Sequence, residues 1–300
     1  MNKRNIKGNS ILMITAFIWG TAFVAQSVGM DYVGPFTFIT SRYILGGMFL
    51  IPCIFILDKA DKKSLNDKRK SNKKTLIIAG VLCGTALFTA SSFQQIGMQY
   101  TSVGKSGFIT SLYIIIVPLI GLLFKHKVSV KVWLSVVISL VGLYLLCINE
   151  SFSISRGDFF ILICAFVFSI HILIIDKYSN MVDGVKMSCI QFFTAGLLGA
   201  VPMFIFEDPQ INNILNALTP ILYAGIMSSG VAYTLQIMGQ KYTSPVLATL
   251  IMSLESVFAV LSGWIILGET LSIKESIGCC LVFAAIILAQ LPDMKNKKLD

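Results

Sequence analysis

The stretch ASSFQQIGMQYTSVGKSGFITSLYIIIVPLIGLLF, residues 90 to 124, returns 142 residues later as AYTLQIMGQKYTSPVLATLIMSLESVFAVLSGWII, residues 232 to 266. Eleven of the thirty-five aligned pairs are identical. They include Gln94 with Gln236, Gly97 with Gly239, Ser111-Leu112 with Ser253-Leu254, Gly121 with Gly263, and Tyr100-Thr101-Ser102 with Tyr242-Thr243-Ser244. Shared apolar composition does not align polar residues, so the chain contains an internal repeat.

Outward from this pair, apolar runs recur along the whole chain, each near the roughly 20 residues that a helix needs to cross a hydrocarbon core. They fall at 10 to 27, 36 to 57, 75 to 98, 103 to 124, 129 to 148, 157 to 175, 186 to 206, 217 to 239, 245 to 267 and 273 to 291. The chain is 55% hydrophobic and 13% charged, far below the roughly 25% charged residues of soluble domains. That composition excludes a soluble fold. The long connection, 58 to 74, is polar and lysine-rich and too small to bury a core.

Near an offset of 150 the second span meets the seventh, pairing Gly46 with Gly196 and Pro52 with Pro202, and the first meets the sixth through Ala16-Phe17 and Ala165-Phe166. Each repeat then holds five spans, in residues 1–150 and 151–300. An odd number makes the two halves enter the membrane from opposite sides. The expected fold is an all-α integral membrane protein of ten transmembrane helices, built as two inverted five-helix repeats, the plan of many secondary transporters.

Placing the amino terminus in the cytoplasm puts twenty of the twenty-four Lys and Arg residues inside, leaving Lys105, Arg156 and Lys274 outside and Arg42 within a span. The positive-inside rule selects this orientation, with both termini cytoplasmic and the protein multi-pass in the cell membrane. Lys127, in an inside loop, aligns with Glu269, in an outside loop, so the flanking charge inverts with the topology. The net charge of +9 is explained by these span ends and does not call for nucleic acid. The first span resembles a signal peptide in its basic front, but it aligns with the sixth span and is expected to be retained. All seven cysteines lie in spans with no CxxC, which argues against disulfides and a metal site.

The carboxy-terminal copy carries Tyr242-Thr243-Ser244-Pro245, Leu254-Glu255, Leu267-Gly268-Glu269-Thr270-Leu271 and Gly278, and the first copy carries Trp19-Gly20-Thr21-Ala22-Phe23 and Arg42. These motifs resemble the EamA-type members of the drug/metabolite transporter superfamily over essentially the whole chain. The chain differs from many relatives at Gln26, where they carry lysine, and at Ser256, where they carry proline. The resemblance implies ten helices, a central cavity, and export or exchange of amino acids, metabolites or amphipathic compounds.

Intramembrane ionisable residues usually face a cavity or a partner, because a charge at the bilayer centre costs at least about 2.5 kcal/mol. Glu255 lies near the midplane, about ten residues into the ninth span. It reads either as a proton carrier in a transport cycle or as an acid locking the ninth helix to a neighbour. Its repeat partner is Tyr113, so the fold's symmetry does not demand the acid. Arg42, about six residues into the second span, either snorkels to the interface or pairs in a cavity with a solute carboxylate or with Glu255.

His171 reads as a proton relay or an interhelical hydrogen-bonding group, and Gln94, Gln191 and Gln236 as polar glue or cavity lining. Trp19, Tyr113 and Tyr233 sit inside spans rather than at the interfaces, as packing or as aromatic lining. Ser272-x-x-Glu275 reads as a capping box, which removes Glu275 from the site.

No HExxH, GxSxG, P-loop or paired catalytic carboxylates occur, so no enzyme activity and no catalytic residue is expected. A channel lacks a filter motif, and a scaffold lacks an exposed binding domain. The sequence points to a secondary exporter of amino acids or related small metabolites working by alternating access, with efflux of amphipathic drugs or cations as the alternative. Expected partners are a small solute, protons and the lipid bilayer, with no cofactor; a homodimer is compatible with the chain.

Overall fold

The computed structural model describes residues 3–61, 72–101, 103–123, 128–147, 155–267 and 272–291. Ten helical passes cover them: α1 Lys3–Met30, α2 Pro35–Asp61, α3 Lys73–Met98, α4 in two parts Val103–Thr110 and Tyr113–Leu123, and α5 Val130–Cys147. The second half repeats the order as α6 Arg156–Tyr178, α7 Gly184–Phe206, α8 Leu218–Gln240, α9 in two parts Pro245–Met252 and Leu254–Leu267, and α10 Ile273–Gln290. A short helix, Ile211–Asn216, precedes α8.

Among the described residues nine of the passes are long and apolar enough to cross a membrane, and α5 carries a shorter apolar stretch, Val130–Leu145. The 18 residues of α5 span about 27 Å at roughly 1.5 Å per residue. Large apolar side chains face outward, such as Phe55, Phe204 and Ile265, each about 70% exposed. In water such a surface would aggregate; around a membrane-spanning bundle it meets lipid tails. Helix entries are built from side chains: Ser155 with Asp158 and Ser272 with Glu275 form capping boxes that open α6 and α10.

Helix pairing follows a two-fold relation between the halves, visible in individual contacts. A methyl group at Gly97 would stand 2.7 Å from Ile161, and one at Gly239 would stand 2.8 Å from Leu12. A methyl at Gly8 would stand 2.8 Å from Tyr242, and one at Gly157 would stand 2.9 Å from Tyr100. Thr243 donates to Asn9 Oδ1 at 3.1 Å while Thr101 donates to Asp158 Oδ1 at 2.8 Å. Each contact between α1 and the end of α8 thus recurs between α6 and the end of α3, at offsets of 149 (157 − 8, 161 − 12) and 142 (239 − 97, 243 − 101).

The register of α2 against α7 differs by one residue from the Gly46/Gly196 and Pro52/Pro202 pairing expected from sequence. A methyl at Gly47 would meet Phe193 at 3.1 Å and one at Gly196 would meet Ile44 at 2.7 Å, so Gly47 corresponds to Gly196 at an offset of 149. Adjacent glycines, Gly46-Gly47, hide the register in sequence. In the corrected register Arg42 corresponds to Gln191, Asp58 to Glu207 and Thr37 to Lys186.

The last two correspondences form clasps at opposite ends of the α2–α7 pair. At one end Lys186 Nζ donates to the Asp58 carboxylate at 2.8 and 2.9 Å. At the other, the Glu207 carboxylate accepts from Phe36 N and Thr37 N, both at 2.8 Å, and from Thr37 Oγ1 at 2.6 Å. Glu207 therefore caps the first turn of α2 from the end of α7, taking the Phe36 and Thr37 N–H groups that the helix itself leaves without partners.

Three helices depart from regular winding near the bundle centre. Helices α4 and α9 tighten at the repeated Ser-Leu pairs, with Leu112 N bonded to Ile109 O at 3.1 Å, Ile114 N to Ser111 O at 3.0 Å, and Ser256 N to Ser253 O at 3.2 Å. Helix α8 instead widens into a π-helix over Tyr223–Tyr233. A methyl at Gly84 would meet Thr194 and Gln191 O, and one at Gly225 would meet Leu45 and Arg42 O, so these glycines correspond at an offset of 141. Past the wide turns, Gln94 and Gln236 correspond at 142. The π stretch thus accommodates one residue more than α3 has, as π-bulges do.

The charge reversal read from Lys127 and Glu269, the Gly268-Glu269-Thr270-Leu271 part of the motif, residues 62 to 71 of the long connection, and the carboxy-terminal lysines from Lys295 lie outside the described residues.

Candidate functional site

Repeat-related positions of α1, α3, α4, α6, α8 and α9 converge on one cavity at the bundle centre. Trp19 and Phe168 face it from α1 and α6, one turn before Phe23 and Ile172; Gln94 and Gln236 face it from α3 and α8; Thr110 with Tyr113 and Met252 with Glu255 face it from α4 and α9. Each of these is a pair at the offsets that define the repeat. Gln26, Arg42, His171, Ser228 and Tyr233 complete the lining without a lining counterpart in the other half. The cavity holds about 40 Å³, room for only a few waters at roughly 10–15 Å³ each.

Eight of the nine residues singled out from sequence, Trp19, Arg42, Gln94, Tyr113, His171, Tyr233, Gln236 and Glu255, therefore line one cavity. Gln191 does not; it stands behind the wall, where its Oε1 meets His171 Nε2 at 3.2 Å. Phe23, Gln26, Thr110, Phe168, Ile172, Ser228 and Met252 also line it and were not singled out as site residues. The repeat offset gives three of them once Trp19, Glu255 and Gln94 are placed, because Phe168 answers Trp19 and the Thr110/Met252 pair precedes Tyr113/Glu255 by one turn.

Arg42 is 3% exposed and does not snorkel. Its Nη1 donates to Gln26 Oε1 at 2.7 Å and its Nη2 to the Tyr43 hydroxyl at 2.8 Å, while the guanidinium lies 4.6 Å from the Tyr43 ring centroid. Tyr43 is fixed in turn by a hydrogen bond with Ser91 and by stacking on Phe192 at 5.8 Å. Arg42 does not pair with Glu255. Glu255 accepts from the Tyr113 hydroxyl at 2.9 Å, a bond between symmetry-related positions of α4 and α9. Both positions at which the chain differs from the family resemblance carry bonds here: Gln26 holds Arg42, and Ser256 bonds Ser111 at 2.9 Å and Gly107 O at 3.1 Å.

The aromatic side of the cavity is one contiguous group. Trp19 and Tyr233 lie 4.6 Å apart and His171 meets Tyr233 edge-on at 6.0 Å. Trp19 Nε1 donates to Ser228 O within the π stretch at 3.4 Å. Three lining residues carry a buried polar atom with no protein partner: Arg42 Nε, His171 Nδ1 and Gln236 Oε1. Such atoms are costly unless a ligand or water meets them. No group of three or more metal-ligating side chains occurs among the described residues.

A second, larger cleft of about 550 Å³ opens at the end of the bundle where α1 begins. Asn5, Asn9, Ser129, Lys131, Ser244 and Gln290 rim it. Between it and the central cavity lies an apolar layer that includes Leu12, Val117, Ile172, Leu250 and Met252.

A bundle of apolar spans in two inverted halves, enclosing a mainly apolar cavity that holds unmet hydrogen-bonding groups, is the build of a membrane transporter. The model of the EamA-like transporter family matches residues 6–148 and again 155–291, and the chain belongs to that family. An "Uncharacterized transporter" of Archaeoglobus fulgidus is 30% identical over 93% of this chain and 84% of its own length. The "Uncharacterized transporter YoaV" of Bacillus subtilis is 25% identical over 93% and 94%, and a chloroplastic WAT1-related protein of Arabidopsis thaliana is 24% identical over 95% and 69%. One solved crystal structure matches with a TM-score of 0.76 at 16% identity, covering 94% of this chain and 96% of that one, which shows the same fold.

Proposed function

We propose that this transporter is a secondary exporter of amino acids or related small metabolites that works by alternating access, with the division between its halves at residues 150 and 151. The carrying observation is the central cavity: it is lined by repeat-related residues, holds buried unmet polar atoms, and is separated by one apolar layer from a cleft on the terminus side. In this state the cavity is too small for an amino acid, so loading requires the halves to move. The tightened turns of α4 and α9 and the wide turns of α8 border the cavity and are natural hinges. Terminus-side basic residues make that side cytoplasmic. Comparing external metabolites of cells with and without the protein tests the reading; equal profiles under conditions where the protein is present in the membrane would reject export.

Energy comes, in this reading, from a proton gradient through Glu255. Its carboxyl is 4% exposed, faces the cavity and is hydrogen-bonded by Tyr113. Glu255→Gln keeps shape and some hydrogen bonding while removing the titration. In proteoliposomes the variant should lose accumulation driven by an imposed pH gradient and keep solute exchange; unchanged accumulation leaves facilitation by the solute's own gradient as the mechanism.

A further inference from the structure

We propose that the central cavity selects solutes bearing an anionic group, a carboxylate, phosphate or sulfonate, and that Arg42 is the residue that binds it. This rests on the transporter reading above and narrows it, since it excludes the amphipathic cations that an aromatic-lined cavity would otherwise suit.

Among the described residues, neutral groups hold Arg42. Its guanidinium is buried, and among the described residues both of its side-chain hydrogen bonds go to neutral acceptors, Gln26 Oε1 and the Tyr43 hydroxyl. The acid of the cavity, Glu255, is bonded to Tyr113 instead. A buried cation with no directly bonded counter-ion is unfavourable in a bilayer. Rings at 4.6 and 5.9 Å soften that cost but supply no acceptor, and Nε remains without a partner.

The repeat provides an internal control. The position equivalent to Arg42 is Gln191, on the matching helix and packed against the matching glycine, since Arg42 O faces Gly225 as Gln191 O faces Gly84. The second half therefore builds the same helix junction with a neutral side chain. Packing of α2 onto its neighbours does not require the charge, so its presence at this cost points to a charged ligand.

Geometry agrees. Gln26 and Tyr43 occupy the two Nη groups and fix the plane of the fork, and Tyr43 is itself locked by Ser91 and Phe192. The free Nε edge then offers a preoriented donor with full positive charge. Arginine suits carboxylate and phosphate recognition for this reason. Gln26, Tyr43 and Ser91 act through Arg42 and are positioning residues.

The test uses the whole protein in liposomes incubated with a water-soluble metabolite extract of the expression host, followed by mass spectrometry of the retained solutes against protein-free liposomes. Every solute retained through the protein is expected to carry a carboxylate, phosphate or sulfonate. Arg42→Gln, which copies the second repeat, should lower their uptake about tenfold or more, and Arg42→Lys should restore part of it. Protein-dependent uptake of a solute with no anionic group overturns the proposal while leaving transport intact. So does undiminished uptake of the anions by Arg42→Gln. If Arg42→Gln fails to fold, as judged by size exclusion, the wild-type solute profile and Arg42→Lys decide. Absence of protein-dependent uptake of any solute rejects the transporter reading, and this proposal with it.

Discussion

Removing the Glu207 carboxylate should destabilise the protein by about 2 kcal/mol, more than removing its symmetry partner Asp58. Glu207 accepts two backbone N–H bonds at 2.8 Å and a hydroxyl at 2.6 Å, all at the first turn of α2. Loss of an N-terminal cap costs roughly 0.5–2 kcal/mol, and a negative charge beside the helix N-terminus adds about 0.3–1 kcal/mol. Water reaches this half-buried site and recovers part of the loss, which sets the total for Glu207→Ala near 2 kcal/mol. Glu207→Gln, which keeps one acceptor oxygen, should cost about half as much. Among the described residues Asp58 pairs with Lys186, and the two side chains are 48% and 36% exposed; such a pair is worth about 1 kcal/mol or less. Unfolding by sodium dodecyl sulfate in mixed micelles, followed by tryptophan fluorescence, measures the difference. Glu207→Ala should shift the folding equilibrium by about 30-fold. A cost for Glu207→Ala no greater than that for Asp58→Ala would refute the capping argument.

Tyr113→Phe leaves Glu255 without its hydroxyl partner and should cost about 1–3 kcal/mol in the same assay; a neutral result would place the Glu255 carboxyl in contact with water instead. Gly97→Ala and Gly239→Ala each force a methyl into the facing helix, against Ile161 at 2.7 Å and Leu12 at 2.8 Å. Each should lose roughly 1–3 kcal/mol, and a large disparity between them would contradict equivalent packing. Lys74→Cys, in a background free of other cysteines, should react with an impermeant thiol reagent only after the cells are opened, and labelling of intact cells would reverse the assigned orientation.

The repeat and its spans were legible because two copies of one sequence filter noise: a polar residue that recurs at the same offset, as Gln94 and Gln236 do, has a shared place in space, whereas Arg42, His171 and Glu255 stood out only as polar groups inside spans. That signal follows helices one at a time and misses what passes between them. The window from Ala90 and Ala232 begins after most of the π stretch, so a single offset of 142 fitted it, and the extra residue of α8 stayed hidden. Counting from a span end put Arg42 at shallow depth. The count could not see that Gln26 and Tyr43 stand ready to hold the guanidinium inside, or that Glu207 closes the end of α2 above it. The clasp at Glu207 is invisible for the same reason, since its partners are mainly backbone N–H groups that exist only once α2 has formed.

The cavity's chemistry lies in the places where the two halves differ. Symmetry supplies the frame, with Gln94 answering Gln236 and Trp19 answering Phe168. The chargeable residues Arg42 and Glu255 that line the cavity each correspond to a neutral residue at the equivalent position of the other half, Arg42 against Gln191 and Glu255 against Tyr113. The first half thus contributes the cation and the second half the acid. If the halves exchange conformations during transport, backbone energies largely cancel between the two end states, because each half takes up the shape the other had. The charged groups do not cancel. On the proposed cycle Arg42 and Glu255 would change surroundings while Gln191 and Tyr113 took the reciprocal ones, so part of the difference between the end states would fall at these two side chains. On the proposed reading, a solute anion at the first and a proton at the second would decide which way the protein opens, since a ligand shifts an equilibrium only by its differential affinity for the two states.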